Sequence, residues 1–220
     1  FLPLDLVSFS YGVRIMAYRD FKTYEEVATL FKIKLIERSF VREKDIVIED
    51  ALMTYVSSNL QSRMNYVSEN AICEAIIFPI LNIVRREYKL GLWSHMRFDV
   101  SEEEGLVGTP DFLIAPVSDI GTTFTKPVIC VAEAKKDDFI AGWGQVLAIM
   151  IATQKYNQSD HDIFGIVTTG KMWEIGKINK NDLTLETTSY SAPEDLQKLF
   201  NILNWLFSES SKALSEPVET

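Results

Sequence analysis

Two acidic residues and one lysine stand where they could hold a divalent cation and use it. Asp111 follows Pro110 at the start of one apolar segment, and Glu133 and Lys135 end the next apolar segment. Mg²⁺ prefers oxygen ligands and keeps several waters, so two carboxylates and a backbone carbonyl suffice as protein ligands. A bound divalent cation lowers the pKa of a water and polarises a phosphoryl oxygen. Lys135 could orient or deprotonate that water, or stabilise charge on the phosphate.

The alternation of side chains along a strand explains why Glu133 and Lys135 belong to one site. Residues two apart in a strand point to the same side, which leaves Ala132 and Ala134 on the opposite side. If the segment that begins at Asp111 pairs beside this strand, its carboxylate approaches that of Glu133. The sequence therefore predicts one metal site at the ends of two neighbouring strands.

Residues 1–63 are predicted to form a helical N-terminal extension that packs on the core. Thr23, with Glu26 three residues later, forms a capping-box pattern, which predicts a helix over residues 23–38. A second helix is predicted over residues 46–63, where polar and apolar residues mix with few helix breakers.

A longer helix with a distinct apolar face is predicted to follow. Ser68 is placed to cap this helix and Gly91 to end it, and Pro79 is expected to kink it. Its buried face is marked by apolar residues that recur at helical spacing: Ile72, Ala75, Ile76, Pro79, Ile80 and Ile83.

After residue 91 the pattern changes from helical to strand-like. For residues 64–220 this order predicts an α/β domain with a mixed central sheet flanked by helices, in which sequence-local strands pair antiparallel first and a crossover helix comes later. The predicted elements are strands over residues 95–100, 109–117 and 127–136, a helix over 142–157, strands over 163–170 and 171–178 joined by a turn at Gly170, a further strand within 183–190, and a final helix over 193–208.

The composition is that of a globular protein. The 220 residues fit one ordinary domain, with 47% hydrophobic and 24% charged residues. No apolar run reaches the length that spans a bilayer, and the first residues do not resemble a signal peptide. A cytoplasmic location without membrane contact is therefore expected.

The cysteines and histidines form no catalytic or zinc-binding spacing. Cys73 and Cys130 lie among aliphatic residues, which predicts buried thiols rather than a disulfide. His95 and His161 have no partner at catalytic spacing and are assigned no role. Acyl transfer by a serine or cysteine nucleophile is accordingly disfavoured.

The net charge of −9 weighs against a nucleic-acid role, because phosphate binding needs a basic surface. A metal site, however, requires acidic residues of its own, and the charge argues only against tight, non-specific DNA binding. Basic residues in the C-terminal half could still cluster locally: Lys135, Lys136, Lys155, Lys171, Lys177 and Lys180.

Three segments resemble a known family of phosphodiesterases. TPDFLIAP, VICVAEAKKDDF and GWGQVLAIMIATQ are similar to the motifs of the PD-(D/E)XK nuclease superfamily, in its restriction-endonuclease-like branch. The IFGIVTTGKMWEIGKI that follows is similar to the strand pair after the glutamine helix of that family. The resemblance covers about residues 68–180, and the N-terminal helical segments have no counterpart in it.

The resemblance implies a restriction-endonuclease-like αβββαβ core and hydrolysis of nucleic-acid phosphodiesters, with DNA the favoured substrate and Mg²⁺ or Mn²⁺ the cofactor. Asp111 and Glu133 would be metal ligands, Lys135 the catalytic lysine and Gln145 a helix residue that orients the site. Domains of this kind often pair so that two sites cut two strands, which makes a homodimer one expectation.

Many members of the family also carry a glutamate on the helix before the sheet, and two residues are candidates here. Glu69 lies on the same face as Ile72 and Ile76, so its carboxylate can point towards the sheet as a third metal ligand. Glu74 lies about 140° further round the helix. Glu69 is favoured, although an acid in the first turn is also explained by the helix dipole alone.

Two functions of different classes remain open. One is an active metal-dependent endonuclease of restriction, repair or mobile-element type, which the presence of all three catalytic residue types favours. The other is a nuclease-fold module of a larger defence system that binds nucleic acid or protein without cutting. The acidic charge favours the second. For Asp111, Glu133 and Lys135 the plain structural alternative is a loop aspartate and a surface ion pair, and for Gln145 a surface helix residue.

Overall fold

Strands and helices alternate along the part of the chain that the computed structural model describes, residues 16–88 and 90–214. The strands are β1 (Lys34–Glu37), β2 (Gly91–Ser94), β3 (Phe112–Ala115), β4 (Cys130–Ala134), β5 (Ile163–Thr168), β6 (Met172–Asn179), β7 (Asp182–Leu185) and β8 (Tyr190–Ser191). The helices are α1 (Tyr24–Phe31), α2 (Asp50–Gln61), α3 (Glu69–Ile72), α4 (Phe78–Arg85), α5 (Phe139–Asn157) and α6 (Leu196–Ser210).

The eight strands of this region form one open mixed sheet. Its order is β1-β7-β6-β5-β4-β3-β2, with β8 paired to β6. β2, β3 and β4 pair antiparallel, whereas β4 and β5 are parallel and are joined by the crossover helix α5. The predicted α/β fold with a mixed sheet flanked by helices is confirmed, as are the antiparallel pairing of the first strands and the later crossover.

Helices cover both faces of the sheet and divide the core in two. Cys130, Ala132 and Ala134 of β4 belong to the apolar cluster beneath α4 and α6. Val131, between them, belongs to the cluster beneath α1 and α5. By the alternation of a strand, Glu133 and Lys135 follow Val131 on the α5 side. Glu133 and Lys135 therefore lie on the opposite face of the sheet from Ala132 and Ala134, as predicted, and each face packs against its own apolar cluster.

The helix predicted over residues 23–38 is half right. Its start is confirmed, since the Thr23 hydroxyl accepts a hydrogen bond from the Glu26 N–H at 3.2 Å. Lys32, however, adopts a left-handed conformation (φ 56°) that ends α1, and Lys34–Glu37 then pairs parallel with β7. The prediction of a purely helical extension is therefore wrong for this segment. A short apolar run is compatible with either a helix or a strand, and here pairing with the edge of β7 selects the strand. The division of the chain at residue 63 stays a prediction.

The single helix predicted over residues 68–91 contains a π-helical segment, Cys73–Ile77, between α3 and α4. Pro79 has no N–H with which to reach the carbonyl of Ala75, and the Asn59 side chain donates to that carbonyl instead, at 2.8 Å. The Phe78 N–H bonds to the Cys73 carbonyl, the longer step of a π-helix. A π-helical segment therefore precedes Pro79, and the kink expected at this residue stays a prediction.

The same prediction is wrong at its C-terminal end. A 3-10 turn, Arg86–Tyr88, follows α4, and Gly91 is the first residue of β2 instead of the end of the helix. The Arg85 guanidinium donates to the Leu90 carbonyl at 2.8 Å, which supports the turn without a glycine. Ser68 caps the helix start as predicted, accepting from the Ala71 N–H at 3.1 Å.

The strand predicted over residues 95–100 is also wrong, because the strand lies before it, at Gly91–Ser94. His95 has a left-handed backbone (φ 50°), which interrupts the extended conformation. The chain beyond it forms an irregular hairpin, in which the Phe98 N–H donates to the Gly108 carbonyl at 2.8 Å. The alternation that suggested a strand therefore belongs to a loop beside the site.

The remaining elements follow the predicted order, although several are shorter than predicted. Asp138 accepts a hydrogen bond from the Ala141 N–H at 2.9 Å and caps α5. Cys73 and Cys130 are free and buried, as predicted. Among the described helices, none is both long and apolar enough to cross a bilayer.

Candidate active site

The pairing of β3 with β4 places Asp111 and Glu133 opposite each other. Phe112 pairs with Ala132 in the antiparallel register, so the next pair outward is Asp111 and Glu133. The Asp111 N–H points at the Glu133 Oε2, 3.5 Å away. The approach of these two residues, predicted on condition that their strands pair, is thereby observed.

Glu133 and Lys135 form a partly buried ion pair on the α5 side of the sheet. The Lys135 Nζ lies 3.2 Å from the Glu133 Oε1, with the two side chains only 12% and 10% exposed. Gly142 of α5 allows this approach, since a Cβ on it would lie 3.0 Å from the Cγ of Lys135 and 2.4 Å from the Cγ1 of Val167. An exposed surface ion pair does not describe this arrangement.

The Asp111 carboxylate faces the end of β4 and a histidine. Its Oδ2 accepts a hydrogen bond from the Ala134 N–H at 2.7 Å, and its Oδ1 lies 3.4 Å from the Nε2 of His95. The Asp111 side chain is 18% exposed. It is therefore held at the sheet edge by the backbone of the strand that carries Glu133, and it is not a free loop aspartate.

Burial raises the pKa of both carboxyl groups. The pKa of Glu133 rises to about 8, first because the side chain is removed from water and second because of the negative charge of Asp111, with Lys135 opposing the rise. Burial also raises the pKa of Asp111, while the Ala134 N–H and Lys135 oppose it. Once both groups are ionised, the two carboxylates carry one negative charge more than Lys135 balances, and a divalent cation would offset it.

The raised pKa of Glu133 gives the metal-free protein an expected pH dependence. The folded state keeps this proton to about pH 8, whereas the ordinary value is 4.5, so the free energy of unfolding falls as pH rises through this window. One unit of pKa corresponds to about 1.4 kcal/mol, so we expect a loss of a few kcal/mol between about pH 5 and pH 8.5.

Urea unfolding in EDTA at these two pH values measures that loss. Glu133→Gln cannot ionise and should show a smaller decrease than the wild type, while Glu103→Gln, an exposed glutamate of the 95–108 loop, should match the wild type. Equal pH dependence in wild type and Glu133→Gln would contradict the assignment of this titration to Glu133.

Gln145 lies beside Glu133 and has an unsatisfied oxygen. Both residues line a cavity of about 300 Å³ on the α5 side of the sheet. The Oε1 of Gln145 is buried and has no hydrogen-bond partner in the protein. Buried polar atoms are usually paired, so this oxygen indicates a place for a water or a ligand group. The alternative of an ordinary surface helix residue does not account for this buried oxygen.

The same cavity presents two cationic side chains and a glycine-containing loop. Its lining includes the exposed Arg19 and Arg97, together with Gly108 and Thr109, which directly precede the Pro110-Asp111 segment. Asp111 itself does not line the cavity. Glu133 is thus the residue that connects the cavity to the rest of the candidate site.

Glu69 is close to the site but exposed. It is the first residue of α3, and its negative charge raises the pKa of Asp111, as it does that of the Cys73 thiol. Its carboxylate does not join those of Asp111 and Glu133 in a group with ligand atoms within 4.8 Å of one another, at least among residues 16–88 and 90–214. The structure therefore brings Asp111, Glu133, Lys135 and Gln145 together and leaves Glu69 at the margin.

His95 is the residue that the sequence did not identify. Its expected lack of a partner is wrong, since its ring lies beside Asp111 and its Nδ1 lies 2.7 Å from the Ser94 hydroxyl. One donor atom each of Cys73, His95 and Asp111 lies within 4.8 Å of the other two. The spacing of these residues in the sequence does not predict the cluster, because its members come from three separate segments of the chain.

Most of the lysines of the C-terminal half do not form a free basic surface. Three form ion pairs with acidic residues, and Lys171 packs over the ring of Tyr66. The ion pairs are Lys155 with Glu104, Lys177 with Asp162, and Lys180 with Asp160. Lys135 likewise pairs with Glu133, and of the two arginines that line the cavity Arg97 pairs with Asp99.

Neither protein-family models nor curated proteins match this sequence.

The donor set around Glu133 fits a hard divalent cation. Two carboxylates lie at the ends of neighbouring strands, burial raises the pKa of both, and the amide oxygen of Gln145 is unpaired nearby. Asp111 and Glu133 would hold such an ion, and waters would complete its coordination. The ion would polarise a phosphoryl oxygen and lower the pKa of a water.

Proposed function

We propose that this chain is a metal-dependent nuclease that hydrolyses nucleic-acid phosphodiester bonds, with DNA the favoured substrate and Mg²⁺ or Mn²⁺ the cofactor. The observation that carries the proposal is the meeting of Asp111, Glu133 and Lys135 at the ends of β3 and β4. These are the residue types and positions that the PD-(D/E)XK resemblance requires.

The order of elements supports the finer fold assignment. A helix, three antiparallel strands, a crossover helix and a parallel strand occur in the sequence α4-β2-β3-β4-α5-β5. This is the αβββαβ order of the restriction-endonuclease-like core. Within it the candidate residues occupy the expected elements: Asp111 just before the second strand, Glu133 in the third and Gln145 on the crossover helix.

The chain's own residues suggest how the reaction would proceed. Lys135 is fixed by its ion pair with Glu133, so its ammonium group can stabilise charge on the phosphate or move a proton of the attacking water. The free Oε1 of Gln145 can accept a hydrogen bond from that water and orient it. Arg19 and Arg97, at the cavity, can hold the phosphates that flank the scissile bond, and Arg97 would exchange its ion pair with Asp99 for a phosphate.

A cleavage assay tests the proposal. We expect purified protein to cut double-stranded DNA, single-stranded DNA or RNA when Mg²⁺ or Mn²⁺ is present, and not in EDTA. Glu133→Ala and Lys135→Ala should be inactive. Equal nicking by all three proteins would reveal a contaminating nuclease, and no cleavage of any substrate by the wild type would refute the proposal.

A second function is favoured by the charge of the molecule. The net charge of −9 and the pairing of Lys155, Lys177 and Lys180 with acids leave little basic surface for a long duplex. A nuclease-fold module that binds a protein or nucleic acid without cutting would explain this. Binding of labelled DNA without cleavage, in the presence of Mg²⁺, would support this alternative.

Gln145 should contribute to rate more than to stability. Replacing it by alanine removes the oxygen that has no protein partner, so we expect cleavage to slow by about 10–100-fold, the usual effect of losing an orienting group near a metal. The denaturation midpoint should not fall. Gln61→Ala, at the exposed end of α2, is the matched control and should leave the rate unchanged. An unaffected rate in Gln145→Ala would remove this residue from the site.

A further inference from the structure

Three donor atoms of different chemistry meet at Asp111, outside the cavity that Glu133 lines. Cys73 comes from the π-helical segment, His95 from the residue after β2, and Asp111 from the residue before β3. One ligand atom of each lies within 4.8 Å of the others. No other group of three or more cysteine, histidine or acidic residues is as close within residues 16–88 and 90–214.

Sulfur, nitrogen and oxygen together suit a softer ion than magnesium. Thiolate and imidazole ligands select zinc-class divalent ions, whereas magnesium takes oxygen ligands. The bond lengths of tetrahedral zinc place its N, O and S ligand atoms roughly 3.4–3.6 Å apart. The observed 3.4 Å between the Nε2 of His95 and the Oδ1 of Asp111 matches that separation. We propose that Cys73, His95 and Asp111 form a binding site for a zinc-class divalent cation.

The surroundings of His95 prepare its ring for this role. The Ser94 hydroxyl lies 2.7 Å from its Nδ1, so a proton on Nδ1 can be donated to Ser94 while the Nε2 lone pair faces Asp111. The ring packs edge-on against Phe112, with 6.1 Å between ring centroids. The left-handed backbone of His95 (φ 50°) is sparsely populated by residues other than glycine and persists only where its surroundings hold it.

Access and charge are also compatible with an ion. The His95 side chain is 42% exposed and that of Asp111 18%, so an ion can enter from the solvent past His95. Cys73 closes the site from the core, where it is 1% exposed. On binding, the Cys73 thiol releases its proton to solvent and the S–metal bond forms, so that thiolate and carboxylate together balance the two positive charges.

A nucleophilic role for Cys73 explains the cluster less well. Burial raises the pKa of its thiol, and the negative charges of Asp111, Glu133 and Glu69 add to the effect. Reactive cysteines have the opposite surroundings, in which cations stabilise the thiolate and the sulfur is accessible. Without a metal, Cys73 is therefore a protonated thiol that faces a histidine and a carboxylate.

Asp111 would belong to both metal sites, and this consequence rests on the proposed nuclease function. An ion held by Cys73 and His95 draws the Asp111 carboxylate away from the magnesium position next to Glu133. Zinc-class ions at this site should therefore inhibit magnesium-dependent cleavage by competing for one shared ligand.

Binding of Co²⁺ to the full chain, in metal-free buffer, tests the site without reference to activity. Co²⁺ takes the place of Zn²⁺ and reports a thiolate ligand through a sulfur-to-metal charge-transfer absorption. We expect one equivalent to bind with this absorption, and Zn²⁺ to abolish it by displacement. Cys73→Ala should lose the absorption, and the matched buried-thiol control Cys130→Ala should keep it.

Histidine variants keep the test decisive even if Cys73→Ala folds poorly. His95→Asn changes a half-exposed residue and removes a proposed direct ligand. Loss of a residue that only hydrogen-bonds to a ligand weakens metal binding by about 10–100-fold, so we expect this variant to bind Co²⁺ at least about tenfold more weakly. His161→Asn is the control and should bind as the wild type does. Absence of the absorption in the wild type, or its persistence in Cys73→Ala, would overturn the proposal.

Cleavage measurements separate this proposal from the proposed function. Zn²⁺ should inhibit the magnesium-supported wild type but not Cys73→Ala. If no substrate is cut although the cobalt absorption depends on Cys73, the metal site stands and the nuclease proposal fails. If cleavage requires Glu133 but the wild type shows no absorption, the nuclease stands and the second site is refuted.

Discussion

Glu133→Gln should abolish magnesium-dependent cleavage while leaving the fold intact. The amide removes the charge of the proposed metal ligand that also lines the cavity. A metal ion contributes several kcal/mol to stabilising the transition state, so we expect the rate to fall by at least about 10³-fold. The substitution keeps the shape of the side chain, and the amide oxygen can still face the Asp111 N–H. A rate within tenfold of the wild type would remove Glu133 from the catalytic site.

Thermal stability in the presence of Mg²⁺ distinguishes a lost ligand from a damaged fold. A ligand that binds only the native state raises the melting temperature, so Mg²⁺ should stabilise the wild type and Glu103→Gln. Glu133→Gln should lose this response. In EDTA at pH 8 it should be at least as stable as the wild type, because it no longer has to bury a carboxylate whose pKa is raised.

The site was predictable where it depends on local periodicity. Glu133 and Lys135 are two apart in a strand, so their common side followed from the geometry of any strand, and the apolar residues before them marked that strand as central. The antiparallel approach of Asp111 followed from the tendency of consecutive strands to pair with each other. The α/β class was predictable for the same reason, since helical and strand periods alternate along the chain.

What the sequence did not reveal depends on contacts between distant segments. Lys34–Glu37 forms a strand because the edge of β7 is free to pair with it, and no local pattern encodes that edge. The Ala75 carbonyl, which Pro79 cannot reach with an N–H, accepts a hydrogen bond from Asn59 of α2, and local spacing does not encode this contact. His95 meets Asp111 because its left-handed backbone ends β2 at that point, and spacing along the chain does not reveal such a turn.

Lys135→Ala should reduce cleavage by about 10²–10⁴-fold, the range for removal of a positioned acid–base group. Its ammonium lies 3.2 Å from the Glu133 Oε1, and its charge opposes the burial that raises the Glu133 pKa. Without it the pKa of Glu133 rises further. The residual activity should therefore need a higher pH than the wild type, and a full pH–rate profile measures this shift.

Measurement of Mg²⁺ affinity distinguishes a catalytic role of Lys135 from a purely structural role in its ion pair with Glu133. At a pH on the plateau of each variant's pH–rate profile, where Glu133 is ionised, removal of a neighbouring positive charge should not weaken Mg²⁺ binding, whereas loss of a ligand in Glu133→Gln should. Calorimetric titration of both variants checks this difference. Lys135→Arg keeps the charge but not the compact ammonium or its ability to give up a proton, so it should bind Mg²⁺ and remain slow. Full activity in Lys135→Arg would assign to Lys135 a purely electrostatic role, because a guanidinium does not deprotonate in proteins.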